Sequence, residues 1–224
     1  MNRWSPFSLP LFSTAGVALL WLAAGCNDKS VPPTKPVQIV NGESYFPMHD
    51  GDIWYYNSGN FIYQVDGDTT IDGVVCKRVL KGGETDQAWT VNSQRFAVHL
   101  LEGFMWLDPP LDIPLNLVKN EPHQFSSLGL VAEGFVSDAD SFRISGTLTF
   151  GGYVKRTINL VELDSCIQLD YISKTRIYFK NGTTLDDDAA YSEYYARGIG
   201  LIYNGDIGLD EAIINGVHLP TAGP

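Results

Sequence analysis

Cys26 is the residue whose surroundings most clearly suggest chemistry. It follows three small residues at positions 23–25, which end a largely apolar run from residue 7, and Arg3 is the only charged side chain before it. A basic start, an apolar run and small residues form the layout of a secretory signal peptide. A membrane-spanning helix needs about 20 apolar residues, whereas the uninterrupted stretch covers only residues 15–25. The pattern therefore predicts an export signal.

The segment that ends in Cys26 resembles the lipobox of bacterial lipoproteins. It reads Leu-Ala-Ala-Gly-Cys, with Ala23 where leucine is usual and Leu22 one place earlier. The resemblance implies a diacylglyceryl thioether on Cys26, cleavage after Gly25 and acylation of the new N-terminus with a fatty acid such as palmitate. Two or more acyl chains hold a protein stably on a bilayer. An ordinary secretory signal and an uncleaved anchor are the alternatives.

The residue after the cysteine bears on localisation. Asn27 stands there instead of aspartate, and Asp28 follows. By resemblance to the sorting rule of enteric bacteria, Asn27 favours the outer membrane over the inner membrane of a Gram-negative envelope. The expected location is therefore its periplasmic face.

The charge of the mature chain limits its partners. Removal of residues 1–25 takes away one basic residue and no acidic one, which leaves 14 basic and 26 acidic residues and a formal charge of −12. Nucleic-acid binding depends on clustered Lys and Arg, so nucleic-acid partners are not expected. The same charge repels anionic lipid head groups, so the covalent lipid is the expected membrane contact.

Two further cysteines, Cys76 and Cys166, would lie in an oxidising compartment that permits a disulfide. Each belongs to an alternating apolar stretch and could equally be a small buried hydrophobic residue. The sequence leaves both possibilities open. Their wide separation without a Cys-x-x-Cys motif argues against a zinc site.

Other residues give little support for metal or catalytic chemistry. The four histidines His49, His99, His123 and His218 form no metal-binding spacing, and His99 is predicted to be a solvent-facing strand residue. Asp66, Asp68 and Asp72 lie in a stretch that departs from the EF-hand pattern and instead predicts two adjacent hairpin turns. No Gly-x-Ser-x-Gly elbow is present. We therefore expect no cofactor, no metal and no enzymatic activity.

The elements that would position these residues are predicted to be strands. In residues 142–150 apolar or small residues alternate with polar ones, and residues 166–180 alternate similarly, as expected for strands with one buried face. Further strands are predicted at residues 52–57, 61–65, 74–80, 88–91, 96–101, 103–107, 130–136, 157–163, 191–196, 201–203 and 212–217. Dipeptides suited to tight hairpins separate many of them, namely Asp66-Gly67, Asp72-Gly73, Gly82-Gly83, Asn181-Gly182, Asn204-Gly205 and Asn215-Gly216.

These patterns predict an all-β fold with a single domain at residues 45–224. We expect a curved antiparallel sheet or a partly closed barrel, with a two-sheet β-sandwich as the alternative. Residues 26–44, rich in proline, would form a flexible tether after the signal peptide at residues 1–25. Residues 108–115 are predicted to be a rim loop with exposed leucines because of their prolines, and residues 186–191 to be a loop.

Several short phrases resemble a loose group of uncharacterised bacterial lipoproteins and secreted proteins. The first is Tyr45-Phe46-Pro47-Met48 with Gly51, Trp54 and Tyr56; the others are Pro109-Pro110, residues 163–169, and residues 194–201, which read Tyr-Tyr-Ala-Arg-Gly-Ile-Gly-Leu. Gln168 replaces the usual lysine and Ile199 the usual valine. Physically, Gly198 and Gly200 suggest a bend between strands, and the aromatic residues suggest core anchors.

The resulting hypothesis is a non-enzymatic binding or assembly module, anchored by lipid, that uses aromatic-lined concave sheet surface for an unknown protein or lipid ligand. The alternative is a carrier or chaperone that holds acyl chains in the concavity, by analogy of fold. A continuous apolar pocket would favour the carrier, and a filled core with an exposed apolar patch the assembly module.

Overall fold

The computed structural model describes residues 44–101, 104–116, 118–131, 136–205 and 207–219. The regular elements in these ranges are thirteen β-strands, which confirms the prediction of an all-β protein. In chain order they are β1 (Ile53–Tyr56), β2 (Phe61–Ile71), β3 (Val74–Lys81), β4 (Glu84–Val91), β5 (Arg95–Leu100), β6 (Phe104–Pro114), β7 (Pro122–Val131), β8 (Ala139–Ile158), β9 (Val161–Phe179), β10 (Thr184–Ala196), β11 (Gly200–Asn204), β12 (Ile207–Ile214) and β13 (Val217–Leu219).

The strands form a closed antiparallel barrel. Each strand pairs with the next along the chain, and the ring closes because β1 also pairs with β12, where Trp54 lies opposite Ala212. The short strand β13 pairs with the end of β12. The fold therefore confirms the predicted curved antiparallel sheet or partly closed barrel, with the ring of twelve strands closed, so that β1 and β12 are not left as open sheet edges.

The long strands β8 and β9 show why the alternating sequence folds this way. Phe142, Leu148 and Phe150 of β8 are at most 1% exposed, as are Ile167 and Leu169 of β9. Successive side chains of a strand point to opposite faces, so one face of each strand packs into the interior. The two strands pair over almost their whole length, with Phe150 opposite Leu169.

Five of the six predicted dipeptides lie where two consecutive strands connect. Asp72-Gly73 joins β2 to β3 and Asn215-Gly216 joins β12 to β13, and all four residues have positive φ, as a type I′ turn requires. Asp66-Gly67 is not a turn. It lies inside β2, where the register shifts between Val65 and Asp68, so the predicted pair of adjacent hairpin turns is wrong. The one extra residue of β2 forms a bulge instead.

The prediction of a rim loop at residues 108–115 is also wrong, because most of this segment belongs to β6. Its pairing with β5 continues to Pro114, whereas its recorded pairing with β7 stops at Asp108. Proline lacks an amide hydrogen and is tolerated along an unpaired strand edge. The leucines are not exposed loop residues either: Leu111 is half-buried and Leu115 is fully buried.

The predicted loop at residues 186–191 is part of β10. Asp186, Asp187 and Asp188 lie opposite Arg176, Thr175 and Lys174 of β9. Arg176 and Lys174 both form ion pairs with Asp186. Pairing with the basic residues of the neighbouring strand lets an acidic run adopt extended structure, because opposite charges across a strand pair are favourable.

Several predicted features fall on other parts of the chain. The cleavage site at Gly25, the lipid attachment at Cys26 and almost all of the tether at residues 26–44 lie outside the described residues. Cys76 and Cys166 are both described, and both are buried free thiols on different strands. The disulfide that the sequence left open is therefore not formed in this structure.

The described part of the chain contains no helix with the length and apolar composition needed to cross a membrane.

The segment before β1 belongs to the core although it forms no strand. Tyr45, Phe46 and Met48 are at most 9% exposed and belong to a core cluster with residues of β5, β6, β8, β9 and β10. Phe46 stacks on Phe96 with ring centroids 4.3 Å apart, and the Tyr45 hydroxyl donates to the Ser165 carbonyl at 3.0 Å. We call residues 45–48 the N-terminal plug.

Candidate ligand cavity

The barrel contains a partly open cavity of about 300 Å³ with a mainly apolar wall in which aromatic residues form the largest group. Its size is at the lower end of the range for small-molecule sites, about 300 to 1,000 Å³. Ten aromatic residues contribute to the lining: Phe46, Trp54, Tyr56, Tyr63, Trp89, Phe96, Phe125, Tyr171, Tyr191 and Tyr195. Aliphatic residues from β5, β6, β8, β11 and β12, together with Pro47 and Leu101, complete the apolar part. Five polar residues are interspersed among them: Gln87, Asp112, Ser173, Glu193 and Asn204.

Phe46 of the N-terminal plug forms part of the cavity wall. Besides its stack on Phe96, it lies 4.7 Å from the ring of Tyr195, measured between centroids. The chain that would lead back to the tether thus reaches the ligand cavity directly. A change in the plug is therefore expected to alter both barrel stability and the shape of the cavity.

Trp54 is held in the wall by a hydrogen bond and by a close backbone approach. Its Nε1 donates to the Ile199 carbonyl at 2.6 Å. Gly200 adopts φ +97°, and a Cβ at this position would lie 3.2 Å from Trp54 Nε1. Gly198 also has positive φ, in the turn between β10 and β11, which confirms the predicted bend at this glycine pair. The bend packs against Trp54, whose ring centroid lies 6.4 Å from that of Trp89.

Glu193 places a carboxyl group inside this aromatic enclosure. Tyr195 Oη donates to its Oε2 at 2.6 Å, and Asn204 Nδ2 donates to its Oε1 at 2.9 Å. The hydroxyl of Tyr171 is a further hydrogen-bond partner. Burial raises the pKa of Glu193, and the hydrogen bonds from Tyr195 and Tyr171 oppose that rise because they favour the charged carboxylate.

The phenols around Glu193 stay in their neutral form. Burial raises the pKa of Tyr171 and Tyr195 well above the usual value, and the nearby carboxylate adds to the rise. Tyr171 also stacks on Tyr191, with centroids 5.1 Å apart and the ring planes within 13° of parallel. Both phenols therefore stay protonated at neutral pH, and Tyr195 Oη donates to Glu193.

The polar residues that the sequence analysis considered for metal binding or catalysis do not line the cavity. His99 is 5% exposed, so the prediction of a solvent-facing side chain is wrong; its Nε2 lies 2.9 Å from Thr90 Oγ1. Burial lowers the pKa of His99. Asp66 forms an ion pair with Arg78, and Asp68 with Lys77. Within the described ranges, no group of three or more His, Cys, Asp or Glu residues could hold a metal ion.

Glu193 is a site residue that the sequence did not single out, although alternation along β10 places it on the same face as two tyrosines. Tyr191, Glu193 and Tyr195 alternate along β10, so all three side chains point to the same side. Tyr194, one place away, belongs to a second core cluster with Trp54 and Cys166. The strand is covered on both faces, and only the barrel topology shows that Glu193 faces the cavity.

The comparisons with known proteins leave the family open. No family model and no curated protein matches the sequence. Among solved structures, the chain is similar to the crystal structure of a "putative lipoprotein" from Parabacteroides distasonis ATCC 8503, with 14% identity and a TM-score of 0.46 over 75% of this chain and 97% of that chain.

Proposed function

We propose that this protein is a non-enzymatic binding module that takes one small apolar molecule into its barrel. The aromatic cavity of about 300 Å³ is the observation that carries the proposal, because a largely apolar cavity with a few convergent polar groups is the usual form of a ligand site. Three of the polar groups in its lining are directed at one another: Tyr195 and Asn204 both donate to Glu193. This arrangement suits recognition of a ligand rather than its conversion.

The proposed place of action is a membrane surface. A lipid on Cys26, with cleavage after Gly25, would attach the module to the envelope of a Gram-negative bacterium, at the periplasmic face of the outer membrane. The lipobox resemblance, the Asn27 position and the proline-rich residues 26–44 support this part of the proposal. The tether would set how far from the bilayer the barrel can reach.

Ligand entry is tested by calorimetric titration of the full-length protein in lipid nanodiscs with 4-phenylbutan-1-ol. Empty nanodiscs provide the reference for partitioning of the probe into lipid. We expect saturable binding to the wild type. Val98→Phe, which adds volume at a half-buried position of the cavity wall, should weaken binding about tenfold or more, because an overfilled cavity has no room for the probe. The matched variant Val75→Phe lies at a 65% exposed position and should bind as the wild type does.

Attachment is tested by mass spectrometry of the protein purified from envelopes, with acyl mass expected on Cys26. Cys26→Ser should move the protein from the membrane fraction to the soluble fraction or leave its signal peptide uncleaved. Cys76→Ser removes a thiol that lies in the barrel and should leave attachment unchanged. A Cys26→Ser protein that is processed at the same bond and remains equally membrane-bound would refute the lipid anchor.

A second candidate function is carriage of lipids or lipoproteins. The apolar wall favours it, whereas the cavity volume favours one acyl chain or one small molecule over the two or three chains of a complete lipid. Organic extraction of the purified protein, followed by mass spectrometry, distinguishes the two. Stoichiometric lipid in the wild type that is depleted in Val98→Phe would support a carrier.

A further inference from the structure

The charge inside the cavity is unbalanced. Asp112 and Glu193 are the acidic residues of the lining, and among the described residues that form it none is Lys, Arg or His. Asp112 directs a carboxylate oxygen to Arg95, whose Nη1 lies 3.2 Å away. The hydrogen-bond partners of the Glu193 carboxylate are instead two phenols and an amide.

This environment differs from that of the exposed ion pairs elsewhere on the barrel. A buried carboxylate is costly unless hydrogen bonds and an opposite charge compensate it. Tyr195, Asn204 and Tyr171 provide hydrogen bonds, but each of these donors is neutral. A carboxylate has about four lone-pair sites, so one remains for a further donor. The compensating charge can come from a ligand.

The rest of the wall is suited to the same kind of ligand. The faces of aromatic rings attract cations, most strongly those of tryptophan and tyrosine. Trp54, Trp89 and Tyr191 all line the cavity, and the Tyr191 ring stacks beside Tyr171 next to the carboxylate. Aromatic walls with one carboxylate favour an ammonium group that carries an apolar body.

We propose that the cavity binds an organic ammonium ion with an aromatic or branched aliphatic body, and that Glu193 is its counter-ion. This inference rests on the proposed binding function and narrows it to a ligand class. It also separates two classes of apolar molecule. A fatty acid would bring a second carboxylate close to Glu193, and like charges in an enclosed site repel each other. A fatty acid is therefore a poor ligand.

Three probes that share one apolar body test the proposal: 4-phenylbutylammonium, 4-phenylbutan-1-ol and 4-phenylbutyrate. Each is titrated into the full-length protein in nanodiscs at neutral pH, with empty nanodiscs as the reference. We expect the ammonium ion to bind about tenfold more tightly than the alcohol, as a desolvated cation–aromatic contact allows. The carboxylate should bind more weakly than the alcohol.

Glu193→Gln removes the charge and keeps an acceptor for Tyr195. In this variant the ammonium ion should lose about tenfold in affinity, and the loss for the alcohol should be smaller. The matched control is Glu84→Gln, which makes the same change at an exposed position in β4 and should leave the affinities for all three probes unchanged. Circular dichroism verifies that each variant retains the strand content of the wild type.

The possible outcomes separate the inference from the proposed function. If the alcohol binds and the ammonium ion binds no better, the ligand class is wrong while the binding function stands. If none of the three probes binds the folded wild type, both proposals fail. If Glu193→Gln does not fold, the order of the three affinities in the wild type decides the question alone. An equal loss of ammonium binding in Glu84→Gln would contradict the role of Glu193, because it would reflect net charge only.

Discussion

The two halves of β10 place acidic side chains in opposite environments although both halves pair with β9. In the first half, Asp186 is exposed and bonded to Arg176 and Lys174, and these cations hold its pKa well below the usual range. In the second half, Glu193 is buried among aromatic rings, and burial raises its pKa. The difference shows that the partner strand alone does not decide how a carboxylate behaves. The barrel interior decides it.

The second half of β10 is covered on both faces. Tyr195 points to the cavity and packs on Phe46. Tyr194 points the other way and lies under the Arg156 guanidinium, 3.5 Å from the ring centroid. In the first half, by contrast, Leu185 is 52% exposed. The second half of β10 is therefore part of the core, whereas the first half is exposed to solvent and carries the ion pairs of Asp186.

The largest expected effect is from Tyr195→Ala. It removes the packing on Phe46 and the hydrogen bond to Glu193, and large-to-small changes of aromatic core residues cost about 3–5 kcal/mol. Leu185→Ala, in the exposed half of the same strand, should change the free energy of unfolding by about 0.5 kcal/mol or less. Urea unfolding of the two variants measures the contrast. Similar losses in both would mean that the two halves do not differ in packing.

Gly200→Ala should have the next largest effect. The positive φ of Gly200 strains any other residue, and the new Cβ would lie 3.2 Å from Trp54 Nε1. Strain of this kind costs about 1–3 kcal/mol. Gly216 also has positive φ, but nothing lies within 4 Å of a Cβ at that position. Gly216→Ala therefore measures the cost of the backbone strain alone. We expect a larger loss of thermal stability in Gly200→Ala and a shift of tryptophan emission only there.

The free energy of unfolding should depend on pH through the titration of Glu193. Because burial raises its pKa in the folded state, its contribution to stability is fully present below the unfolded pKa of about 4.3. That contribution is lost as pH rises through the folded pKa. Relative to wild type, Glu193→Gln should therefore gain stability between acidic and neutral pH. Glu84→Gln should follow the wild type; a constant difference between Glu193→Gln and wild type would contradict the raised pKa.

The smallest effect is expected from Asp186→Asn. Its lowered pKa means that its contribution is present above the unfolded pKa and is lost as pH falls through the folded pKa. The ion pairs are exposed, so salt screens them. We expect a small decrease in melting temperature at neutral pH and low salt that shrinks at 1 M salt and in acid. A decrease in melting temperature that is insensitive to salt would show that the contribution of Asp186 to stability is not electrostatic.

The sequence predicted local structure well where one side of a strand is apolar. The alternation in residues 142–150 and 166–180 predicted parts of β8 and β9 because one face of each strand packs in the core and the other faces water. It failed at residues 108–115 and 186–191, where prolines and aspartates suggested loops. At residues 108–115, pairing with β5 overrode the local preference for a loop. At residues 186–191, the ion pairs of Asp186 with Arg176 and Lys174 overrode it.

The candidate site was only partly accessible from sequence. Trp54, Tyr56 and Tyr195 were expected to be large core anchors, and they line the cavity. Glu193 was not singled out, because an acidic residue in a tyrosine-rich strand carries no local sign of burial. His99 was assigned to the wrong side for a similar reason: a single polar residue does not reveal which face of its strand is covered.

By itself, the sequence determined the all-β class, most of the hairpin turns and the expectation of a lipid on Cys26, because these depend on side-chain periodicity, on backbone conformations favoured by glycine and on a short local motif. The tertiary structure decided the rest. Pairing of β1 with β12 closes the barrel across more than 150 residues of chain and creates the cavity. Only that closure makes Glu193 a buried carboxyl group, because burial depends on which distant strands surround a residue.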